Sequence, residues 1–271
     1  MKLVAVDLDG TLLDPEGQVS KENAHALQEF DSQGGIVVLA TGRSILSAKK
    51  VFAQLQLSGY TLASNGAYVA RVEKGEVKEI LKSYVISKDT VQTSLRLAMN
   101  AAVTVVASRE TQDDRIFFEK ESSSVDSPYY AQFNLKDSSA EELMRQIESG
   151  EISYFKLAFT DSDTSKLVKL RAQLEKHKIN SSYSDKYWLE VMSDGVNKGA
   201  ALSFLTHYLS VDLDDVLAFG DQENDLEMLK TSGFAVAMEN AAPAVRKTAN
   251  KITKSNEESG VAYVLNEYIS E

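Results

Sequence analysis

The sequence contains no cysteine among its 271 residues. Disulfide bonds, thiolate metal sites and cysteine nucleophiles are therefore excluded. Basic residues are also few relative to acidic ones, 29 against 40, which gives a formal net charge of -11. Negative charge of this size argues against nonspecific binding to nucleic acid or to an anionic membrane. An anionic substrate would have to be attracted locally, by a metal ion or by a few well placed cations.

Long hydrophobic runs are absent as well. No apolar stretch approaches the ~18 residues that a membrane-spanning helix needs. Only Met1 and Lys2 precede the first apolar run, which leaves no room for a signal peptide. We therefore expect a cytoplasmic protein. The chain is long enough for one large or two modest domains, and its hydrophobic content of 43% is ordinary for a globular protein.

The stretch LVAVDLDGTLL at the start of the chain places polar side chains directly after a short apolar run. Such a run is typical of a strand covered on both faces, and in open α/β sheets ligands bind beyond the carboxyl ends of these strands. Asp7, Asp9 and Thr11 are therefore candidates for chemistry. Two ionised carboxylates this close need a cation, a shared proton or a turn that separates them, and Gly10 favours the turn.

The cation that this group would prefer follows from the donor atoms. Carboxylates with no histidine or cysteine nearby favour a hard, oxygen-binding ion such as Mg²⁺ over zinc. Taken alone, however, the Asp7 and Asp9 pair is equally typical of a strand end that caps the next turn through an Asx-type hydrogen bond.

A second apolar run, residues 36–40, is followed by Thr41, Gly42 and Arg43 and then by an amphipathic helix. A strand, a short polar loop and a helix form the repeating unit of a parallel sheet, so this loop is expected at the same edge as Asp7. Thr41 can offer a hydroxyl, and the backbone around Gly42 can offer N–H groups, to an anion at a helix start. Alone, a Thr-Gly pair before a helix is usually only a cap.

The segment from about Ser83 to Trp188 has a different pattern of predicted helices and strands. Helices alternate with strands that lie beside one another more often than they are separated by crossovers, and an acidic, serine-rich loop is expected at residues 121–127. This pattern predicts a second, α+β domain with its own sheet. The expected division is a discontinuous core, residues 1–82 and 189–271, with residues 83–188 inserted into it.

Lys198 opens the helix KGAALSFLTHYL. A cation is disfavoured there because a helix N-terminus already carries partial positive charge, so an anion against Lys198 would explain its position. For an isolated Lys-Gly pair, a solvated surface lysine is the commoner arrangement.

The run VLAF at residues 216–219 predicts another core strand, which ends in GDQENDLEML. Asp221 would then lie in the loop at the strand tip and Asp225 would open a helix, with Asn224 between them. Both carboxylates can face one point, and the helix dipole favours acidic groups at its N-terminus. Taken alone, Gly-Asp after a strand is ordinary loop and capping acidity.

These four clusters, in this order, resemble the four motifs of the haloacid dehalogenase (HAD) superfamily of phosphohydrolases. The segments GDQENDLEML, AMENA at residues 237–241 and KGAAL closely resemble the Cof-type subgroup, whose α/β cap is inserted between the second and third motifs. The 83–188 insert falls in that interval. The resemblance implies a Rossmann-like parallel-sheet core of the α/β class with an inserted α+β cap domain.

The resemblance also implies roles for individual residues. In the family the first aspartate attacks phosphorus and the second is the general acid and base, which here are Asp7 and Asp9. Surrounding negative charge is expected to keep Asp9 protonated. Mg²⁺ would be bound by the carboxylates of Asp7 and Asp221 and by the backbone carbonyl of Asp9. Further candidates contact the phosphate, orient the loops or line the edge of the site: Leu8, Thr41, Gly42, Lys198 and Asn224 for phosphate, Asp225 for orientation, and Arg43 and Asn65 at the edge.

The function implied is a Mg²⁺-dependent phosphatase of small phosphate monoesters. Sugar phosphates and phosphorylated cofactors such as pyridoxal phosphate or flavin mononucleotide are the expected substrates. One alternative keeps the chemistry but transfers the phosphoryl group to a second hydroxyl, as related sugar phosphomutases do. Another is a non-catalytic protein that binds a phosphorylated metabolite, which the presence of both Asp7 and Asp9 disfavours.

Overall fold

The structure is a computed structural model that describes residues 1–110, 112–116 and 135–269. Its chain forms two compact units, one made of Met1–Lys82 and Asn197–Glu271 and the other of Ser83–Val196. The acidic, serine-rich stretch at residues 121–127 lies outside the described residues.

An eight-stranded sheet forms the centre of the first unit, in the order β14-β13-β12-β1-β2-β3-β4-β5. Neighbouring strands are parallel from β14 to β3, whereas β4 runs antiparallel to β3. Strands are numbered along the whole chain, and those of this sheet are β1 (Leu3–Val6), β2 (Ile36–Ala40), β3 (Ser58–Ala63), β4 (Tyr68–Glu73), β5 (Glu76–Ser83), β12 (Val216–Gly220), β13 (Phe234–Ala237) and β14 (Lys251–Ile252).

The first unit also contains helices, most of which lie between successive strands of this sheet along the chain. They are α1 (Lys21–Ser32), α2 (Ile45–Leu55), α6 (Lys198–Leu209), α7 (Leu226–Thr231), α8 (Pro243–Thr248) and α9 (Gly260–Ile269). Helix α1 packs on α9, and α6 packs on α7. The side chain of Ser20, a residue type favoured at helix N-caps, caps α1 by accepting from the backbone N–H of Asn23 at 3.2 Å. Among the described residues, no helix combines the length and the apolar character that crossing a membrane requires.

The central strands are buried along their whole length. Every residue of β1 and of β12 is buried, because helices cover a parallel sheet on both faces. This arrangement confirms the α/β class expected from the short apolar runs.

The strand order also fixes where a ligand can bind. The sheet is built outward from β1 in two directions, through β2 and β3 on one side and through β12, β13 and β14 on the other. Since these strands are parallel, the carboxyl ends of β1, β2 and β12 lie side by side at the point where the direction of winding reverses. Such switch points are the usual ligand sites of open α/β sheets.

The second unit has a six-stranded sheet in the order β10-β11-β9-β6-β7-β8. Its neighbours are antiparallel, except that β7 and β8 are parallel. Its strands are β6 (Thr104–Ser108), β7 (Asp113–Ile116), β8 (Leu135–Asp137), β9 (Lys156–Thr160), β10 (Ser182–Asp185) and β11 (Trp188–Val191), and its helices are α3 (Lys88–Ala101), α4 (Ala140–Ser149) and α5 (Thr164–Lys176).

This unit has a hydrophobic core of its own, in which Leu95, Phe159 and Leu170 are buried together. Strand β11 belongs to it because Leu189 pairs with Phe159 of β9. The unit therefore continues to Val196, beyond the end at Trp188 that the sequence pattern predicted.

Candidate active site

The first polar residue beyond β1 is held at the centre of the sheet edge. The backbone N–H of Asp7 donates to the carbonyl of Phe219 on β12 at 3.1 Å, so the β1–β12 ladder extends through Asp7. Its side chain is buried, with 6% exposure. The strand pairing thus fixes this carboxylate between the carboxyl ends of β1 and β12.

A tight turn after Asp7 depends on Gly10. The φ angle of Gly10 is +80°, and a Cβ atom there would lie 2.4 Å from Oδ2 of Asp221. Any other residue would therefore be strained and would also displace the Asp221 carboxylate. Asn240 stabilises the turn by donating from Nδ2 to the Gly10 carbonyl at 2.8 Å. The turn brings the Thr11 hydroxyl to Asp221, where it donates to Oδ1 at 2.9 Å.

Lys198 connects the two halves of the site. It is fully buried, and its Nζ donates to Oδ1 of Asp7 and to Oδ1 of Asp225, each at 2.6 Å. Lys198 is the first residue of α6, whose N-terminus is capped by the side chain of Asn197 accepting from the Ala200 N–H at 2.8 Å. The two carboxylates supply the negative charge that a lysine at this helix position requires.

The loop after β12 is organised around Asp225, which is also fully buried. Oδ2 of Asp225 accepts from the backbone N–H groups of Asp221 and Gln222, each at 3.0 Å. The side chain of Gln222 in turn donates to Oδ2 of Asp221 at 3.3 Å. Asp225 therefore contacts both the backbone of this loop and the Lys198 ammonium.

One carboxylate oxygen from each of Asp7, Asp221 and Asp225 lies within 4.8 Å of the other two. All three residues are buried, and Lys198 does not balance their combined negative charge. Clustered carboxylate oxygens are the donor set that a hard divalent cation prefers. The residues present could therefore hold a metal ion.

The electrostatics of the cluster also favour a bound cation. Burial and the neighbouring Asp225 carboxylate raise the pKa of Asp7 to about 7, although Lys198 opposes the shift. Burial and the charges of Asp7 and Asp225 also raise the pKa of Asp221 well above its ordinary value. Burial by itself lowers the pKa of Lys198, but Asp225 and Asp7 outweigh it and the net pKa is raised. Without a cation, the folded protein therefore resists full ionisation of this cluster.

A second group of contacts joins the loops after β1 and β2. Arg43 donates to Asp9 from Nε to Oδ2 at 2.8 Å and from Nη2 to Oδ1 at 2.5 Å. The backbone N–H of Arg43 donates to the Thr41 hydroxyl at 3.0 Å. Asp9, expected from its sequence context to lie among negative charges, is close enough to Asp7 for the two charges to interact and is also paired with a guanidinium. This pair lies beyond sequence reasoning because the two residues are 34 positions apart.

A third group joins the loop after β3 to the loop after β12. Nδ2 of Asn224 donates to Oδ1 of Asn65 at 3.0 Å. Asn65 is buried, and both it and Ser64 have positive φ angles, +56° and +49°. Left-handed backbone at two successive residues that are not glycine is uncommon, and it concentrates where a side chain is held for function.

The remaining candidates are placed by chain position. Leu8 lies between Asp7 and Asp9, and its carbonyl accepts from the N–H of Leu12 at 3.0 Å. Gly42 lies in the loop between Thr41 and Arg43. Sequence reasoning missed Gln222 and Asn240 as supports of the site, although both belong to segments that carried the resemblance, GDQENDLEML and AMENA.

Known proteins resemble the chain over nearly its whole length. A phosphatase of 5-amino-6-(5-phospho-D-ribitylamino)uracil from Bacillus subtilis (strain 168) is 30% identical, over 99% of this chain and 96% of that protein. The HMP-PP phosphatase of Serratia proteamaculans (strain 568) is 29% identical, over 99% of this chain and 95% of that protein. The solved structure of a haloacid dehalogenase-like hydrolase from B. subtilis superposes with a TM-score of 0.87 at 26% identity, covering 98% of this chain and 99% of that one.

The family model of the haloacid dehalogenase-like hydrolases matches residues 4–265. That range includes β1, β2, β12 and α6, which together carry the buried carboxylates, the lysine and the turn described above. The match agrees with the resemblance stated from the four motifs. The chain is therefore a member of the haloacid dehalogenase-like hydrolase family.

Proposed function

We propose that this chain is a Mg²⁺-dependent phosphatase of small phosphate monoesters that works through an aspartyl phosphate on Asp7. The observation that supports it best is the buried cluster in which Lys198 contacts Asp7 and Asp225 at 2.6 Å and Asp221 lies alongside. A phosphate monoester repels an incoming carboxylate, so charge neutralisation and positioning provide most of the catalysis of phosphoryl transfer. The cluster offers a buried ammonium and carboxylates that could hold a cation, and both can neutralise the charge of a phosphate.

In the first step, a carboxylate oxygen of Asp7 bonds to phosphorus as the bond from phosphorus to the leaving oxygen breaks. Asp9 donates a proton to the leaving oxygen, so that an alcohol departs. In the second step, Asp9 takes a proton from water while the water oxygen bonds to phosphorus. The bond from phosphorus to Asp7 breaks at the same time. Inorganic phosphate is released, and the free carboxylate of Asp7 is regenerated.

The phosphate oxygens would be bound by groups from four loops. Lys198 supplies positive charge, Thr41 a hydroxyl and Asn224 an amide, which Asn65 holds at 3.0 Å. A hydroxyl that accepts one hydrogen bond can still donate its own hydrogen. Backbone N–H groups of Leu8 and Gly42 complete this set.

The buried carboxylates fit Mg²⁺ as the resident ion. Their ionisation is disfavoured in the folded protein, as the raised pKa values of Asp7 and Asp221 indicate. Asp7 and Asp221 would hold the ion through carboxylate oxygens and Asp9 through its backbone carbonyl. When bound, the ion supplies positive charge that offsets the carboxylates and the substrate phosphate.

Release of inorganic phosphate from p-nitrophenyl phosphate is expected to require Mg²⁺. Activity should fall to background when a chelator removes the ion, because the uncompensated carboxylates repel the substrate. The measurement is phosphate release at fixed pH with and without chelator, followed by readdition of Mg²⁺. Activity that persists in excess chelator would contradict the proposal.

The same assay separates the two alternatives. A mutase would require a sugar bisphosphate and would return the phosphoryl group to sugar rather than to water. A binding protein would bind phosphorylated metabolites but release no phosphate, with or without Mg²⁺.

Asp221→Asn is expected to abolish the Mg²⁺ response while raising the thermal stability of the metal-free protein. The pKa of Asp7 rises from its ordinary 3.8 to about 7 on folding. Its contribution to stability is therefore complete below about pH 4 and is lost as the pH rises through about 7. Asp221 behaves in the same direction. Lys198 adds no slope in this window, because its pKa is raised from a value of 10.5 that already lies above it.

The measurement is the melting temperature between pH 5 and pH 8.5, without metal and with Mg²⁺. The wild-type protein should melt at lower temperature as the pH rises, and Mg²⁺ should restore stability most at the alkaline end. Asp221→Asn should melt about 3–8 °C higher at pH 8.5 without metal, since ~1 kcal/mol moves the melting temperature of a domain of this size by about 2–4 °C. Asp214→Asn, which removes an exposed carboxylate of the same unit, is the control. A metal-free stability that is flat with pH would contradict this account.

The substrate is proposed to be a small phosphorylated metabolite, a sugar phosphate or a phosphorylated cofactor such as pyridoxal phosphate or flavin mononucleotide. The relatives support this class, since one is named for a phosphoribityl compound and another for HMP-PP. Catalytic efficiencies measured over a panel of phosphorylated metabolites would rank the candidates.

A further inference from the structure

We infer that Arg43 is a positioning residue for proton transfer, and that its guanidinium holds the Asp9 carboxyl group in the orientation from which Asp9 acts. This inference rests on the proposed function, because it takes Asp9 as the general acid and base. The geometry that carries it is the two-point contact at 2.8 and 2.5 Å described above.

Arg43 is the fixed member of the pair. Its side chain is 6% exposed, whereas that of Asp9 is 32% exposed. Its backbone is held on both sides, by its N–H donating to the Thr41 hydroxyl at 3.0 Å and by its carbonyl accepting from the Ser64 N–H at 2.8 Å. Asp9 precedes the glycine on which the turn depends, and it faces solvent in part. Asp9 therefore takes its orientation from Arg43 rather than the reverse.

The chemistry of the contact explains why an arginine is present. A guanidinium is planar and donates two parallel hydrogen bonds to both oxygens of a carboxylate, which fixes the rotation of the carboxylate as well as its distance. A lysine ammonium at the same place would supply the charge but not the planar fork. Proton transfer falls off steeply with misplacement of the donor, so a fixed rotation has catalytic value.

The step affected is the breaking of the bond between phosphorus and the leaving oxygen. As that bond breaks and the bond from Asp7 to phosphorus forms, the proton on Asp9 passes to the leaving oxygen. A nitrophenolate departs readily without that proton, whereas an alkoxide does not. A misplaced Asp9 should therefore matter more as the leaving group becomes more basic.

The test is kcat/KM for p-nitrophenyl phosphate, phenyl phosphate and an alkyl phosphate in wild-type protein, Arg43→Met and Arg43→Lys. The ratio kcat/KM reports the first irreversible step, so the later hydrolysis of the aspartyl phosphate does not obscure the result. Arg43→Met should lower kcat/KM by about 10²-fold for the alkyl phosphate and by less than about tenfold for p-nitrophenyl phosphate, given that a general acid contributes 10²–10⁴-fold. Arg43→Lys should give an intermediate loss with the same dependence on leaving group.

Arg71→Met is the matched control. Arg71 on β4 also pairs with carboxylates, those of Glu73 and Glu79, and its loss should leave all three kcat/KM values unchanged. Equal losses for all substrates with a raised KM would make Arg43 a phosphate ligand and overturn the inference. Full activity in Arg43→Lys would show that charge alone suffices, and failure of both variants to fold would assign Arg43 a structural role; either result overturns it. Inactive wild-type protein would instead refute the proposed function.

Discussion

Asp7→Asn is expected to lower kcat for phosphate release by at least about 10⁴-fold, as removal of a covalent nucleophile does in other enzymes. An amide oxygen is a poor nucleophile toward phosphorus, so the variant cannot form the covalent phosphoryl intermediate. The fold should survive, because the substitution removes a charge from a cluster that has too much of it. Lys198 keeps its 2.6 Å contact to Asp225 in the variant, so the buried ammonium remains paired.

Two measurements distinguish lost chemistry from lost structure. Phosphate release from p-nitrophenyl phosphate gives the activity, and thermal melting without metal gives the stability, which should equal or exceed that of the wild type. The exposed-site variant Asp214→Asn should match the wild type in both. Wild-type turnover in Asp7→Asn would remove the aspartyl phosphate from the mechanism.

Lys198→Met is expected to lose at least about 10³-fold in kcat/KM and to destabilise the metal-free protein by about 3–5 kcal/mol. Lys198 is fully buried, and its removal leaves the carboxylates of Asp7 and Asp225 without the cation that they share. Buried charges left unpaired are costly in proportion to their burial. The same loss removes positive charge from the place where the phosphate would bind.

A double variant tests whether the ion pair causes the instability. Lys198→Met combined with Asp225→Asn removes one charge of each sign. The side-chain carbonyl of the introduced asparagine can still accept from the two backbone N–H groups that now donate to Oδ2 of Asp225. The double variant should therefore recover most of the lost stability and none of the activity. Unfolding in denaturant measures the stability, and phosphate release measures the activity. If Lys198→Met melts like the wild type, the buried pair contributes nothing to stability.

Much of the fold was predictable because its signals are local. The runs LVAV, IVVLA and VLAF are short, apolar and followed closely by polar residues, and each forms a largely buried strand that leads to a candidate site residue. Ser20 before α1 and Asn197 before α6 are residue types favoured at helix N-caps, and both cap their helices in the structure. Caps and periodic patterns depend on neighbours a few positions away, which a sequence displays directly.

The pairings across the site were not predictable in this way. Asn65 and Asn224 are 159 positions apart, and their contact depends on the strand order rather than on any local pattern. The position at which the insert ends was unpredictable for the same reason. Nothing in the run WLEV shows that it pairs with β9 rather than with the first sheet, and only the tertiary structure decides it.

The discontinuous first unit has a consequence for how the protein is made. Thr11 and Asp221 meet although they are 210 positions apart in the chain, and β12 fills the place beside β1 only after the second unit has been translated. A nascent or truncated polypeptide that stops before Val216 carries Asp7 on a strand that lacks its β12 neighbour and the loop that bears Asp221 and Asp225. Ribosomal synthesis therefore produces the proposed nucleophile first and the residues that contact its carboxylate cluster last, so the candidate site is assembled only after β12 and the loop that follows it have been made.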